Sequence, residues 1–206
     1  CSFSGLVVFG CRQGGSPTFA SFRSWLGRAP ETPPDADRLL VRKFLHCHGP
    51  STPALLAEWL GCSPAQARRL WNSVAQELEP VSVEGKARWL LSADRDALAH
   101  PCGPQERLLL LGPHDPYLDT RDRDVLLPDK ALQKLVWRTV GNPGAVVLDG
   151  RISGMWTART VRDRLELSVT AWQAFSARQQ SMLEIRAQEY AAFRGLSLLK
   201  YTLEDG

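Results

Sequence analysis

Two stretches of the chain concentrate side chains that can do chemistry. The first runs His114-Asp115-Pro116-Tyr117-Leu118-Asp119-Thr120-Arg121-Asp122-Arg123-Asp124. A histidine beside an aspartate can work as a general base with its orienting carboxylate, and Tyr117 stands next to both. The same residues suit an architectural loop equally well. Asp-Pro-Tyr is a turn sequence, and charges that alternate in sign from Arg121 to Asp124 pin a loop by ion pairs. On chemistry alone the architectural reading is the stronger, so no catalytic residue is assigned. Arg121 and Arg123 are read as phosphate contacts.

The second stretch is a helical segment with an apolar stripe at Ala67, Leu70, Trp71, Val74 and Leu78. Away from that stripe it leaves Gln66, Arg68, Arg69, Asn72, Ser73 and Gln76. Arginine neutralises phosphates, while Asn and Gln can bond to base edges, so the set suits a duplex groove. A solvated helix face is the plain alternative. Lys86 and Arg88 add positive charge further on, which Glu84 partly cancels. Arg159, Arg162 and Arg164 lie close together beyond Met155-Trp156; an exposed strand edge is the default reading, and one or more of them, Arg159 and Arg162 above all, are read as candidates to face phosphate.

The elements that position these residues are legible from spacing. Asp35 to His46 carries Leu40, Val41, Phe44 and Leu45 one turn apart, with Asp35 and Asp37 favourably placed for the helix dipole. Thr52-Pro53 opens a second helix with Leu55, Leu56, Trp59 and Leu60, which stops at Gly61. Ser63-Pro64 opens a third with the same cap chemistry. Two short alternating runs, Val81 to Val83 and Ala87 to Leu90, then flank Glu84-Gly85-Lys86 as a hairpin. Three helices followed by a hairpin predict a winged helix-turn-helix over residues 35–92.

On either side the pattern changes. Leu6 to Phe9 and Thr18 to Ala20 predict a hairpin, and the proline-rich run Gly27 to Pro34 predicts a linker. Prolines 101 and 104 mark a second boundary. Beyond it Arg107–Leu111, Gly144–Leu148, a strand starting in Gly150–Gly154, and Leu165–Val169 read as strands paired with sequence neighbours. Asp129–Trp137 and Ser176–Phe193 read as helices, the latter with a capping box (Ser176, Gln179) and a stripe of Met182, Ile185 and Phe193. The predicted fold class is α+β, with the winged helix followed by an antiparallel-sheet domain with packed helices over 104–206. Residues 1–27 are read as the remnant of a preceding winged helix.

Composition narrows the rest. With 206 residues, 44% hydrophobic and 23% charged, the chain has the make-up of an ordinary globular protein, and no apolar run approaches the roughly 20 residues that span a bilayer. A net charge of +3, from 25 basic and 22 acidic side chains, is too small to coat nucleic acid by bulk charge, so any contact rests on local patches. Five cysteines, an odd number in irregular spacing, point to reduced thiols in a cytoplasm. His46-Cys47-His48 with Cys62 nearby lacks metal-ligand spacing, so no metal site is expected. Residue 1 is Cys, and the weak apolar run after it lacks a signal core, so the chain reads as a fragment.

Taken in order, HGPSTPALLAEWLG, VSVEGKARWLL and LLLGPHDPYLDTRDRDVLLPDKALQKLVWRTVGNPGAVVLDGRISGMW resemble the winged-helix DNA glycosylases typified by AlkZ and YcaQ. The resemblance runs from about Leu6 to about Trp172, and HDPYLDTRDR followed by VVLDGRISGMW is its most specific part. It implies tandem winged helices with a β-rich C-terminal domain, excision of bulky alkylated bases or unhooking of interstrand crosslinks, little sequence preference, and double-stranded DNA as partner. No small-molecule cofactor and a monomer are expected. His114, Asp115 and Tyr117 carry over as family-like positions. The family's catalytic pattern, glutamine, an apolar residue, then glutamine or aspartate, does not occur in these 206 residues. A transcription regulator reading bases through Gln66, Arg69 and Asn72, and a protein-interaction module without nucleic acid, are the alternatives from the residues alone.

Overall fold

The computed structural model describes residues 5–100, 107–119 and 122–206. Arg121, Cys1, Cys102 and the expected boundary at residues 101–104 therefore lie outside the described residues. By its contacts the chain forms two compact units, one of Cys1–Glu79 with Trp89–Leu91, the other of Pro80–Arg88 with Ser92–Gly206.

The first unit begins with a small antiparallel hairpin, β1 (Val7–Phe9) and β2 (Phe19–Ser21), followed by a short helix α1 (Phe22–Leu26) that the sequence pattern does not announce. Three helices follow: α2 (Ala36–His48), α3 (Pro53–Leu60) and α4 (Pro64–Asn72). Their starts obey the cap chemistry. The Thr52 hydroxyl accepts from the Leu55 amide and the Ser63 hydroxyl from the Gln66 amide, each at 3.2 Å, bonds worth about 1 kcal/mol apiece. Val41, Phe44, Leu45, Leu56, Ala67, Leu70, Trp71 and Val74 make one buried cluster. α4 is shorter than its stripe suggests. After Asn72 the chain passes through a single 3₁₀ turn (Ala75–Glu77), so Val74 reaches the core from beyond the helix and Leu78 begins a strand.

That strand, β3 (Leu78–Val83), pairs with β4 (Lys86–Leu91) around Glu84-Gly85, both at positive φ (50° and 74°), the two-residue turn whose twist matches a hairpin. Ser51 and Trp89 exchange backbone bonds of 2.8 and 2.9 Å, adding a short third rung beside β4. Helices, then a hairpin with a third rung, give the element order of a winged helix.

The second unit is built on a five-stranded sheet in the order β5 (Leu108–Leu111), β6 (Gly144–Leu148), β7 (Arg151–Val161), β8 (Arg164–Ala171) and β9 (Ser197–Asp205). The first four strands form the expected antiparallel meander. β9 was not foreseen, and it runs parallel to β8. A parallel neighbour requires a crossover, which the helix α8 (Ala177–Phe193) supplies. The turns Asp149-Gly150 and Arg162-Asp163 repeat the positive-φ geometry of the first hairpin. Gly144 lies against the Trp156 ring, where a Cβ would collide, while the indole Nε1 donates to the Leu111 carbonyl at 2.8 Å.

Alternation along the strands splits the core into two layers. Val146, Trp156, Leu167 and Val169 face α8 through its Leu183 and Ala187, whereas Ala145, Val147 and Ile152 pack with Leu118, Leu126, Leu127 and Val136. The last three come from α6 (Arg123–Leu126), its following residue and α7 (Lys130–Val136). The capping box of α8 is present, but its stripe is not the expected one. Leu183, Ala187 and Ala191 are buried, and Ile185 and Phe193 are 51% and 84% exposed. Small alanines let the helix approach the sheet, a role that a search for large apolar residues passes over.

Candidate nucleic-acid interface

α4 presents Gln66, Arg68, Arg69, Asn72 and, just past its end, Gln76 to solvent, because Ala67, Leu70 and Trp71 occupy the opposite, buried side. The five are not equivalent. Arg69 Nη1 donates to Asp37 Oδ2 on α2 at 2.7 Å, so its charge is offset within the protein. Ser73 is turned back, its hydroxyl donating to the Leu70 carbonyl at 2.6 Å. Gln66, Arg68 and Asn72 keep their side chains toward solvent. A bidentate pair ties α2 to the turn that follows α4. Arg42 bonds both Glu77 oxygens (2.7 and 2.9 Å) and Arg38 adds a third bond at 2.9 Å. Hydrogen bonds from Arg42 and then Arg38 hold the Glu77 carboxyl down at about 2.

The hairpin residues divide differently from the sequence expectation. Lys86 is exposed. Arg88 is not a free cation: its side chain is 8% exposed and Nη2 donates to Asp122 Oδ1 at 2.6 Å. Its charge is spent on holding the hairpin tip against the residues that open α6. Lys86, Arg88, Asp122, Asp124 and Arg151 line one cleft of about 380 Å³ in the second unit. Arg151 is exposed at the start of β7 and was not singled out from the sequence, although its Asp-Gly-Arg context marks a hairpin that would project it. Asp124 bonds Lys130 and Gln133, and the Lys130 contact, then Gln133, lowers its pKa.

The family-like segment resolves as architecture. Asp115 Oδ1 accepts from the Tyr117 amide at 2.9 Å, closing its own turn, and the Tyr117 hydroxyl donates to the Gly150 carbonyl at 2.8 Å. Burial of that hydroxyl pushes its pKa up. Trp137 Nε1 donates to the Leu118 carbonyl at 2.9 Å. The loop is thus bound to the β6–β7 turn and to α7, and His114 stands exposed beside it without a base–orienter geometry toward Asp115. Arg123 is half-buried with its guanidinium 4.8 Å over the Trp137 ring, and its Nε has no hydrogen-bond partner, so it is committed to packing before any phosphate.

At the other end of the sheet Arg159 Nε donates to Glu166 Oε2 at 2.7 Å, its direct cross-strand partner, and Arg162 occupies the β7–β8 turn, exposed. The structure therefore groups the predicted residues into three sets: Gln66, Arg68, Arg69 and Asn72 on α4, Lys86 and Arg88 in the cleft, and Arg159 with Arg162 at the far hairpin. Among the described residues no group of three or more His, Cys, Asp or Glu side chains is placed to hold a metal, and no helix is long and apolar enough to cross a membrane.

Comparison with known proteins agrees with this architecture. The family model described as DNA glycosylase AlkZ-like matches residues 2–193. The interstrand DNA cross-link repair glycosylase of Streptomyces sahachiroi is 29% identical over 209 residues, which cover 96% of this chain and 54% of that protein. The solved structure of Streptomyces sahachiroi DNA glycosylase AlkZ superposes with a TM-score of 0.74 at 27% identity, over 97% of this chain and 54% of that one. The chain spans about half the length of the curated relative it matches. With the family model covering nearly the whole sequence, the chain belongs to the AlkZ-like DNA glycosylase family.

Proposed function

We propose that this chain is the duplex-binding portion of a DNA-repair glycosylase that acts on bulky alkylated bases or interstrand crosslinks, with little sequence selectivity. The observation that carries the reading is the uncovered face of α4, where Gln66, Arg68 and Asn72 meet solvent on a helix fixed by a buried core, in a protein of a DNA glycosylase family. Such a face can hold phosphates and touch base edges without imposing a sequence. Residues 35–92 act as one winged-helix link, residues 104–206 as the domain behind it, and residues 1–27 as the end of an earlier link. The protein works as a cytoplasmic monomer without a cofactor. Since the family's glutamine-based catalytic pattern is absent from these 206 residues, this chain contributes grip on the duplex and not the bond-breaking groups.

The regulator alternative needs Gln66, Arg69 and Asn72 to read bases together, and Arg69 would first have to give up its exposed pair with Asp37. Fluorescence-anisotropy titration of an unrelated-sequence duplex tests the proposal. Binding should tighten steeply as salt is lowered and vary little among sequences. No binding at about 50 mM salt, or a strong preference for one sequence, overturns it.

A further inference from the structure

The sheet of the second unit has one face only half covered. Leu165, Leu167 and Val169 of β8 point toward α8, so Glu166 and Ser168 point the opposite way. On that opposite side α6 and α7 cover β5, β6 and the start of β7. Over the rest of β7, β8 and β9 nothing among the described residues of this unit covers it, and Thr157, Arg159, Ser168, Lys200 and Glu204 are exposed around a shallow cleft of about 350 Å³.

The register sorts this open face into rows. Arg159, Glu166 and Lys200 stand side by side across the three strands, and Thr157, Ser168 and Thr202 form the next row. Thr202 Oγ1 donates to Ser168 Oγ at 2.9 Å, linking two hydroxyls of that row. Arg164 begins β8 beyond the first row, beside the Arg162 turn. One end of the face thus carries Arg159, Arg162, Arg164 and Lys200 against Asp163 and Glu166, a local excess of positive charge followed by a row of neutral hydroxyl donors. Glu204 lies at the other end.

The geometry points to this open face as a second seat for double-stranded DNA, gripping the sugar-phosphate backbone through Lys200 and Arg164 with the Thr157–Ser168–Thr202 row beside them. Charge complementarity selects the backbone: cations neutralise phosphates and hydroxyls bond their oxygens, and neither reads sequence. The residues named on this face include no aromatic ring for stacking unpaired bases and no large apolar side chain to receive a protein helix. Glu166 acts as a restraint, since it pairs with Arg159 through both Nε and Nη2 (2.7 and 2.6 Å) and offsets the charge of a side chain that is otherwise exposed. The inference rests on the duplex-binding reading above and adds a surface to it.

The test is the salt dependence of duplex binding by the whole chain and two variants, all first checked for an unchanged thermal melt. Arg164→Gln with Lys200→Gln should bind more weakly and lower the slope of log K against log salt by about 2, two phosphate contacts at roughly 0.9 each. Glu166→Gln keeps the size of the side chain, frees Arg159, and should bind more tightly with a slope steeper by about 1. If the wild-type chain binds duplex while the double variant keeps both its affinity and its slope, or if Glu166→Gln leaves the slope unchanged, this seat is wrong and the duplex-binding reading stands. If the wild-type chain binds no duplex at low salt, both fall. Equal loss of a single-stranded oligonucleotide and of duplex in the double variant would overturn the assignment to duplex.

Discussion

Arg88 and Asp122 make an ion pair of 2.6 Å with the arginine side chain 8% exposed. A charge that deep is fixed to its partner, and the carboxylate at 31% exposure is the side that still meets water. Removing the arginine takes away a charge-assisted hydrogen bond and the packing of a buried side chain, a loss of about 1.5–3 kcal/mol. Arg88→Ala should therefore lower the melting temperature by several degrees while leaving the salt slope of duplex binding unchanged. A lost phosphate contact would show the reverse pattern, a shallower slope with an unchanged melt.

Arg68 and Arg69 are sequence neighbours on one helix with different duties. Arg68→Ala should weaken binding to every duplex alike and reduce the salt slope by about 1, as loss of a phosphate contact does. Arg69→Ala should change the slope little, because its charge already faces Asp37. The exposed pair it gives up is worth about 0–1 kcal/mol of stability. Anisotropy titrations of the two variants, run side by side over a salt series, separate these outcomes.

Glu77 couples the fold to acid. Its carboxyl in the folded chain lies at about 2, lowered by Arg42 and Arg38, whereas an unfolded glutamate titrates near about 4.3. A lowered folded value means stabilisation that is fully present above the unfolded value and lost as pH falls toward the folded one. Thermal melts should show the wild-type advantage over Glu77→Gln in full at neutral pH and shrinking between about pH 5 and pH 2. A difference independent of pH over that window would show that the carboxylate charge is not what holds the clamp.

Tyr117 tests whether the His114–Tyr117 segment is architecture. Tyr117→Phe removes the bond to the Gly150 carbonyl and should cost about 1 kcal/mol of stability in urea unfolding, with duplex binding retained. His114→Ala, at an exposed position, should change neither. Loss of duplex binding in His114→Ala with an intact melt would place this histidine at the interface.

The local elements were legible in the sequence because their signals are local. Thr52-Pro53 and Ser63-Pro64 cap α3 and α4, Glu84-Gly85 turns the hairpin, and Ser176 with Gln179 boxes the start of α8. The polar side of α4 was also readable, since helical spacing separates Gln66, Arg68 and Asn72 from Ala67, Leu70 and Trp71 without reference to anything distant. Family membership follows from ordered motifs of the same local kind.

Which charges are free is a different matter, decided by residues far away in the chain. Lys86 and Arg88 are two positions apart and share one face of their strand, yet only Arg88 meets Asp122, 34 residues on, while Lys86 stays exposed. Arg159 finds Glu166 only through the β7–β8 register, and Arg69 finds Asp37 only because α2 packs near α4. β9 carries no strong pattern of its own, since its neighbour is a parallel strand reached across the whole of α8, and its pairing lays Lys200 beside Glu166. Sequence determined the elements and the inventory of charge. Long-range pairing alone decided how much of that charge is left to meet DNA.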